Sequence, residues 1–278
     1  MPFSFLSWNV EHFRANPDLA LRAQRIAAHI RAQDPDVFGL FEVETIDVIQ
    51  LMQDEFPDYT FGITDGPQSQ EILVGWRNGV FDQASFTQKR EFDAHNEHLR
   101  PGALVSLRNG TVYYNLLYLH TDSGPDAAAF GNRFEMFDRV WKLRTALNKK
   151  VLQSNGAITA AHLVVLGDLN TMGLFYPTNT LANALVKAPR EIEVLGLQAA
   201  KVAMRVLSKD EPLTYNSGGS LKGNLDHVLA DVALNFLPPE PGAVADVAVR
   251  GWPQLQGNAR KEFIANVSDH ASLFARIA

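Results

Sequence analysis

The chain contains no cysteine, which removes disulfides, zinc–thiolate sites and cysteine nucleophiles together. Basic residues are not in excess: 25 lysines and arginines against 31 aspartates and glutamates leave a formal net charge of −6. That balance argues against an extended surface that wraps nucleic acid. A nuclease stays open, because acidic metal ligands lower the formal charge and a bound cation offsets them. Apolar runs are no longer than a strand, so no membrane span is expected. No basic n-region or apolar h-region follows Met1-Pro2-Phe3; a signal peptide is not expected, and a cytoplasmic location is the default. No linker rich in Gly, Ser or Pro divides the 278 residues. One domain over 1–278 is therefore expected, with a monomer as the default.

What is present is a succession of strand-like and helix-like segments. Strands are expected over 3–10, 37–43, 72–77, 85–92, 103–108, 111–120, 163–169, 225–230, 246–250 and 272–277. Helical spacing of Leu19, Ala23, Ile26, Ala27 and Ile30 predicts a helix over 19–31, stopped by Asp34-Pro35-Asp36. Further helices are expected over 47–56, 126–152 and 178–186, with loops over 217–223 and 238–242. Many strands with a few helices between them predict an α/β fold in which two sheets pack face to face under outer helices.

The chemistry-bearing residues stand at strand ends. HLVVLGDLN at 162–170 is an apolar strand that stops in Asp168-Leu169-Asn170. In an extended chain residues i and i+2 share a face, so Asp168 and Asn170 are expected to enter one cleft. A carboxylate beside an amide suits a divalent cation, or a phosphate held by one. Asn9-Val10-Glu11 repeats this pattern, and Glu42 follows the apolar strand 37–40, with Glu44 on its face. His120 ends another apolar strand, in a good position for acid or base work. Asp226 and the pair Asp269-His270 open two closing strands. Gathered in one place, these carboxylates require a cation or a shifted proton, since two like charges ~4 Å apart repel by roughly 4 kcal/mol at an effective dielectric of 20. Solvated strand ends and salt bridges are the alternative for each residue taken singly.

WNVE (8–11), PDVFGLFEV (35–43), LRPGALVSL (99–107), LHT (119–121), GDLN (167–170), LDHVL (225–229) and SDH (268–270) occur in this order. In that order they resemble the endonuclease/exonuclease/phosphatase superfamily of DNase I-like nucleases, abasic-site endonucleases, inositol-polyphosphate phosphatases and neutral sphingomyelinases. The resemblance implies a four-layer α/β sandwich and Mg²⁺- or Mn²⁺-dependent hydrolysis of a phosphoester. It implies Asn9, Glu42, Glu11 and Asp269 as metal-site residues, and Asp168 and Asn170 as the pair handling water and phosphate oxygens. His120 and His270 would flank the scissile phosphate, with Asp226 orienting His270 and Glu71 as the candidate partner of His120. Asn9, Asn170 and Arg100 would contact substrate. Two positions depart from the family pattern: Phe41 stands where Gln is usual before the metal-binding Glu, and Tyr118 where Asn is common.

The resemblance implies a phosphoester substrate, with nucleic acid as one candidate and an inositol phosphate or phospholipid head group as the alternative. A catalytically silent member binding a phosphorylated ligand or a protein is the alternative of a different class. Arg133, Arg139, Lys142, Arg144, Lys149 and Lys150 make the helix after His120 basic, read as a solvated face or, more sharply, a phosphate-binding surface. Arg77 is a further candidate for phosphate contact.

Overall fold

The computed structural model describes residues 2–93, 96–175 and 184–278. Its first half runs β1 (Phe3–Phe13), α1 (Leu19–Arg31), β2 (Val37–Val43), α2 (Asp47–Glu55), β3 (Tyr59–Ile63), β4 (Glu71–Arg77), β5 (Gln83–Lys89), β6 (Gly102–Asn109) and β7 (Val112–Tyr118). Then come α3 (Ala127–Gln153), β8 (Ala160–Asp168), β9 (Leu174–Phe175), β10 (Ala184–Val186), α4 (Ala188–Ala200), β11 (Met204–Val206), β12 (Tyr215–Asn216) and β13 (Lys222–Gly223). The chain closes with β14 (Asp226–Asp231), β15 (Phe236–Leu237), β16 (Val247–Arg250), α5 (Gly257–Asn266) and β17 (Ser272–Ile277).

One sheet has the order β15-β17-β1-β2-β4-β3, with β16 also on β17; the other has the order β11-β14-β8-β7-β6-β5. Among the described residues each carries one parallel strand pair, β1 with β2 and β7 with β8, among antiparallel neighbours. The two sheets therefore share one local plan, and the parallel pairs carry Asn9, Glu42, His120 and Asp168 at or just beyond their C-terminal ends.

Alternation along the strands builds three apolar layers. Phe3, Phe5, Val37, Phe41, Val74, Val105, Leu116, Tyr118, Val164, Leu166 and Leu273 fill the space between the sheets. The other faces of β1 and β2 meet Ala23, Ile26, Ala27 and Ile30 of α1, while Leu163, Val165 and Leu117 meet Met136, Phe137 and Val140 of α3 and Leu195 of α4. At roughly 1.5–3 kcal/mol per buried large side chain, these layers are the main force holding the sheets in register. The four-layer α/β sandwich expected from the sequence is the fold observed. Among the described residues, no helix is long and apolar enough to cross a membrane.

The helix expected over 178–186 is not one where it can be described: Ala184–Val186 pairs with β9 as a short strand, and 178–183 lie outside the described residues. The basic face of α3 is also corrected. Arg133 is buried and donates to both carboxylate oxygens of Glu191, while Arg144 donates to Asp231. These two guanidinium groups lock α3 to α4 and to β14; neither belongs to a solvated face or to a phosphate-binding surface.

Candidate active site

The expectation that alternation alone would aim Asp168 and Asn170 together is replaced by a tighter device. Asp168 Oδ1 accepts from the Asn170 N–H at 3.1 Å, and Asn9 Oδ1 accepts from the Glu11 N–H at 2.9 Å. Both are side-chain-to-backbone turns, and both swing the second residue into left-handed backbone, φ 44° at Asn170 and 49° at Glu11. Glu42 also has φ 61°. For a glutamate such a conformation costs about 1–3 kcal/mol, and the surroundings hold it. Glu42 Oε2 accepts from the His12 N–H, and the Arg22 guanidinium donates to the carbonyl oxygens of Val10, Glu11, His12 and Val267. Gly167 permits the approach of the two parallel strands: a Cβ there would stand 2.0 Å from the Leu119 carbonyl oxygen.

The gathered side chains line one cleft of about 300 Å³, walled by Glu11, Glu42, His120, Asp168, Asp269 and His270. Arg100, Asn170, Gln70, Tyr215 and Met172 line it too. Asn9 lies beneath, with its Nδ2 group donating to Glu42 Oε1 at 2.9 Å and to Asp168 Oδ2 at 3.0 Å. Its donors are thus committed to two carboxylates, and it acts here as the clamp between the sheets. Asn170 Nδ2 donates to the Thr121 carbonyl oxygen at 3.0 Å, which leaves Oδ1 as its free acceptor.

His270 of the cleft makes a buried ionic contact with Asp226. His270 Nδ1 donates to Asp226 Oδ2 at 2.8 Å, and both residues are buried. Asp226 is aligned directly with Asp168 in the β14–β8 register, so one ladder rung sets both carboxylates. His270 Nε2 reaches Asp168 Oδ2 at 3.7 Å. Burial alone would lower the imidazole pKa, but the charges of Asp226 and Asp168 outweigh it and push the value up to about 10. Burial raises Asp168 to about 6 against the lowering influence of His270.

His120 Nε2 lies 3.7 Å from Asp168 Oδ2 and 3.9 Å from Glu42 Oε1. Burial, reinforced by the Arg100 and His270 charges, drives its pKa well below the ordinary value. The expected partnership with Glu71 is not observed. Glu71 accepts from Thr64 Oγ1 and from the Gly66 N–H, and His120 Nδ1 is buried without a hydrogen-bond partner. Aromatic packing, not a carboxylate, surrounds the imidazole, and it comes from the two departures from the family pattern. The Phe41 ring meets the His120 imidazole edge-on at 6.0 Å and the Tyr118 ring at 6.3 Å, and Tyr118 lies flat on Gly39 of the other sheet, where a Cβ would be 2.2 Å from the ring. His120 is thus seated on an aromatic floor.

The donor set fits a hard divalent cation. Asp269 Oδ1 is buried with no hydrogen-bond partner, and its carboxyl is pushed up to about 7, first by burial and then, against His270, by the carboxylates of Glu11, Glu42 and Asp168. A cation with oxygen preference would relieve both the orphaned atom and the repulsion. Two three-donor groups occur among the described residues, His12–Glu42–Glu44 and Asp168–Asp226–His270. Neither includes Glu11 or Asp269, so those two join Glu42 around the cleft rather than in one tight cluster.

Arg77 is not part of the cleft: it pairs with Asp34, Asp36 and Asp58. Arg100 is, and Gln70 Oε1 accepts from its guanidinium. Sequence reasoning missed Gln70 and Tyr215, whose ring lies 5.0 Å from that of His270. It also passed over Ser268, whose Oγ donates to the Asn9 carbonyl oxygen and accepts from the His270 N–H. Only Ser268 had a signal, its place in Ser268-Asp269-His270.

Two sheets, each built around a parallel pair, thus deliver carboxylates, amides and two imidazoles to one polar cleft. Residues 6–270 match the endonuclease/exonuclease/phosphatase family, and the chain belongs to it. Truncated TDP2 from Caenorhabditis elegans is similar in structure, at 14% identity and a TM-score of 0.63, over 99% of this chain and 97% of that one. So is a variant of the 3′ phosphatase NExo from Neisseria bound to a product DNA hairpin, at 15% identity and 0.63 over 99% of each chain. TDP2 from D. rerio, complexed with a single-strand DNA product, gives 16% identity and 0.60 over 100% of this chain and 99% of that one. No curated protein matches by sequence.

Proposed function

We propose that the protein is a divalent-metal-dependent phosphoesterase that hydrolyses its substrate by in-line attack of water at phosphorus, acting on nucleic acid. The observation that carries this reading is the cleft itself. Glu11, Glu42, Asp168 and Asp269 face one another beside an imidazolium, His270, held by Asp226. Mg²⁺ or Mn²⁺ would be held by Glu42 and Asp269, with Glu11 beside them and Asn9 fixing Glu42. When bound, it supplies Lewis-acid polarisation of a phosphate oxygen and stabilises the leaving oxygen.

The protein's own groups divide the remaining work. Asp168, with a pKa raised to about 6, is ionised at neutral pH yet basic enough to take a proton from water. His270, protonated at that pH, is a donor to a phosphate oxygen and not the base. Asn170 Oδ1 accepts from the attacking water and aligns it. His120 stays neutral and donates from Nε2, the nitrogen that faces the Asp168 and Glu42 carboxylates at 3.7 and 3.9 Å. Arg100, anchored by Gln70, meets the phosphate charge. These donors are fixed before substrate arrives, so little reorganisation opposes the build-up of charge.

The DNA products held by the D. rerio TDP2 and Neisseria NExo structures support nucleic acid as the substrate class. The test is a substrate panel of single-stranded DNA, plasmid, abasic-site duplex, RNA, inositol polyphosphate and sphingomyelin, each with Mg²⁺, with Mn²⁺ and with EDTA. Metal-dependent cleavage of a nucleic acid is expected. Turnover confined to inositol phosphate or sphingomyelin moves the assignment to a head-group phosphoesterase, and no turnover on any substrate overturns it.

A further inference from the structure

Beyond the wall formed by Glu11 and His12 lies a second polar cleft, about 470 Å³ in volume, which shares those two residues with the catalytic one. Its other walls bring together Arg14, Arg22 and Arg25 with the amides Asn16 and Asn266. Three guanidinium groups in one place are conspicuous on a chain of net charge −6. Their states differ. Arg22 is committed to the carbonyl oxygens that shape the β1 bulge. Arg14 and Arg25 are exposed and, among the described residues, make no ion pair or side-chain hydrogen bond. Arg14 is near enough for its charge to be felt at both neighbours: it opposes the rise that Glu44 causes in the His12 pKa and adds to the fall that burial causes at Arg22. Asp18, also on the wall, pairs with none of the three.

Arg14 and Arg25 are thus free to meet an anion, although Glu11 and Asp18 stand on the same wall and the Glu11 charge acts on Arg22, and the position of the cleft selects the anion. We propose that the Arg14–Arg25 cleft binds backbone phosphates of a polynucleotide strand next to the phosphate being cleaved, so that the strand runs over Glu11 and His12 from one cleft into the other. The proposal rests on the phosphoesterase reading and adds to it how an extended substrate is held. A compact polyphosphorylated ring fits less well, because the cations are divided between two adjoining clefts, with Arg100 in the catalytic one and Arg14 and Arg25 past its wall. Arginine suits the task, since its planar fork matches phosphate geometry. Contacts of this kind position a strand and carry no sequence information.

The test is fluorescence anisotropy of a short labelled single-stranded oligodeoxynucleotide in EDTA, so that binding is read without turnover. The wild type, Arg14→Ala/Arg25→Ala and Lys149→Ala/Lys150→Ala are compared across salt; the last pair removes two exposed charges from the end of α3. Each single-strand phosphate contact contributes about 0.7 to the slope of log affinity against log salt. Two lost contacts lower the slope by about 1.4, so the wild type weakens about 7-fold more than the arginine variant between roughly 50 and 200 mM salt. The lysine pair is expected to follow the wild type. Equal slopes for the wild type and the arginine variant overturn the proposal, as does a loss of inositol hexakisphosphate binding with oligonucleotide binding intact. Hydrolysis of bis(p-nitrophenyl) phosphate by the wild type is measured separately. Its absence, together with no turnover on the substrate panel, removes the phosphoesterase reading, while the anisotropy comparison still decides the subsite.

Discussion

Replacing Asp226 with asparagine keeps the shape of the His270 partner and removes its charge. In the wild type the two side chains meet at 2.8 Å in a buried setting, and the imidazole pKa is raised from 6.5 to about 10. A folded-state pKa above the unfolded one contributes stability that is fully present below pH 6.5 and is lost as pH rises through about 10. At ~1.4 kcal/mol per unit that contribution is at most about 5 kcal/mol, and removing one partner of a buried pair costs roughly 3–5 kcal/mol. Asp226→Asn is therefore expected to lose about 3–5 kcal/mol at pH 6, with the deficit shrinking toward pH 10. Urea unfolding at a series of pH values in EDTA measures this. NMR titration of the His270 ring gives the direct readout, with its pKa falling toward the ordinary value. Turnover should drop by roughly 10²–10⁴-fold, because the imidazole loses both its charge and its orientation. An unchanged His270 titration in the variant would refute the reasoning, whatever the stability.

Further outcomes follow from other parts of the cleft. Asp168 and Asp269 carry pKa values raised to about 6 and about 7, so their ionisation destabilises the metal-free fold progressively as pH rises from near 4 through 7. Mg²⁺ or Mn²⁺ should accordingly raise Tm more at pH 7.5 than at pH 5, and Asp269→Asn should raise the metal-free Tm at pH 7.5 and blunt the metal response. Glu42→Gln should increase the metal concentration needed for half-maximal turnover; an unchanged metal titration would point to Glu44 instead. Arg133→Ala should cost roughly 3–5 kcal/mol in urea unfolding by stranding buried Glu191, whereas Lys149→Ala/Lys150→Ala should change stability by less than about 0.5 kcal/mol.

Much of the fold is legible in the sequence, and the reasons are local. Leu19–Arg31, Val37–Val43 and Ser272–Ile277 form the elements their patterns imply, because burial against one face imposes a clean period. Tyr59–Ile63, Ala188–Ala200 and Gly257–Asn266 escape that reading. The α5 helix buries none of its residues, so no apolar stripe announces it, and β3 is an edge strand whose exposure blurs alternation. The same division runs through the site. Strand-terminal polar residues announce Asp168, Asn9, Glu42 and His120, since a carboxylate or imidazole after an apolar run needs a partner. What they meet is set by tertiary packing: Glu71 turns to Thr64 and Gly66, Phe41 packs against His120 with Tyr118 against Phe41, and Arg133 points inward. No local pattern distinguishes a solvated arginine from one that meets a glutamate 58 positions away.

The central claim is that water attacks phosphorus in the cleft of Asp168, Asp269 and His270. Hydrolysis in ¹⁸O-labelled water tests it most directly, with single-stranded DNA as substrate, Mn²⁺ or Mg²⁺ present, and His270→Ala in parallel. The account predicts label in the phosphate product, no reaction in EDTA, and turnover slowed roughly 10²–10⁴-fold by His270→Ala. Label in the released alcohol, or near-normal turnover without His270, would contradict it.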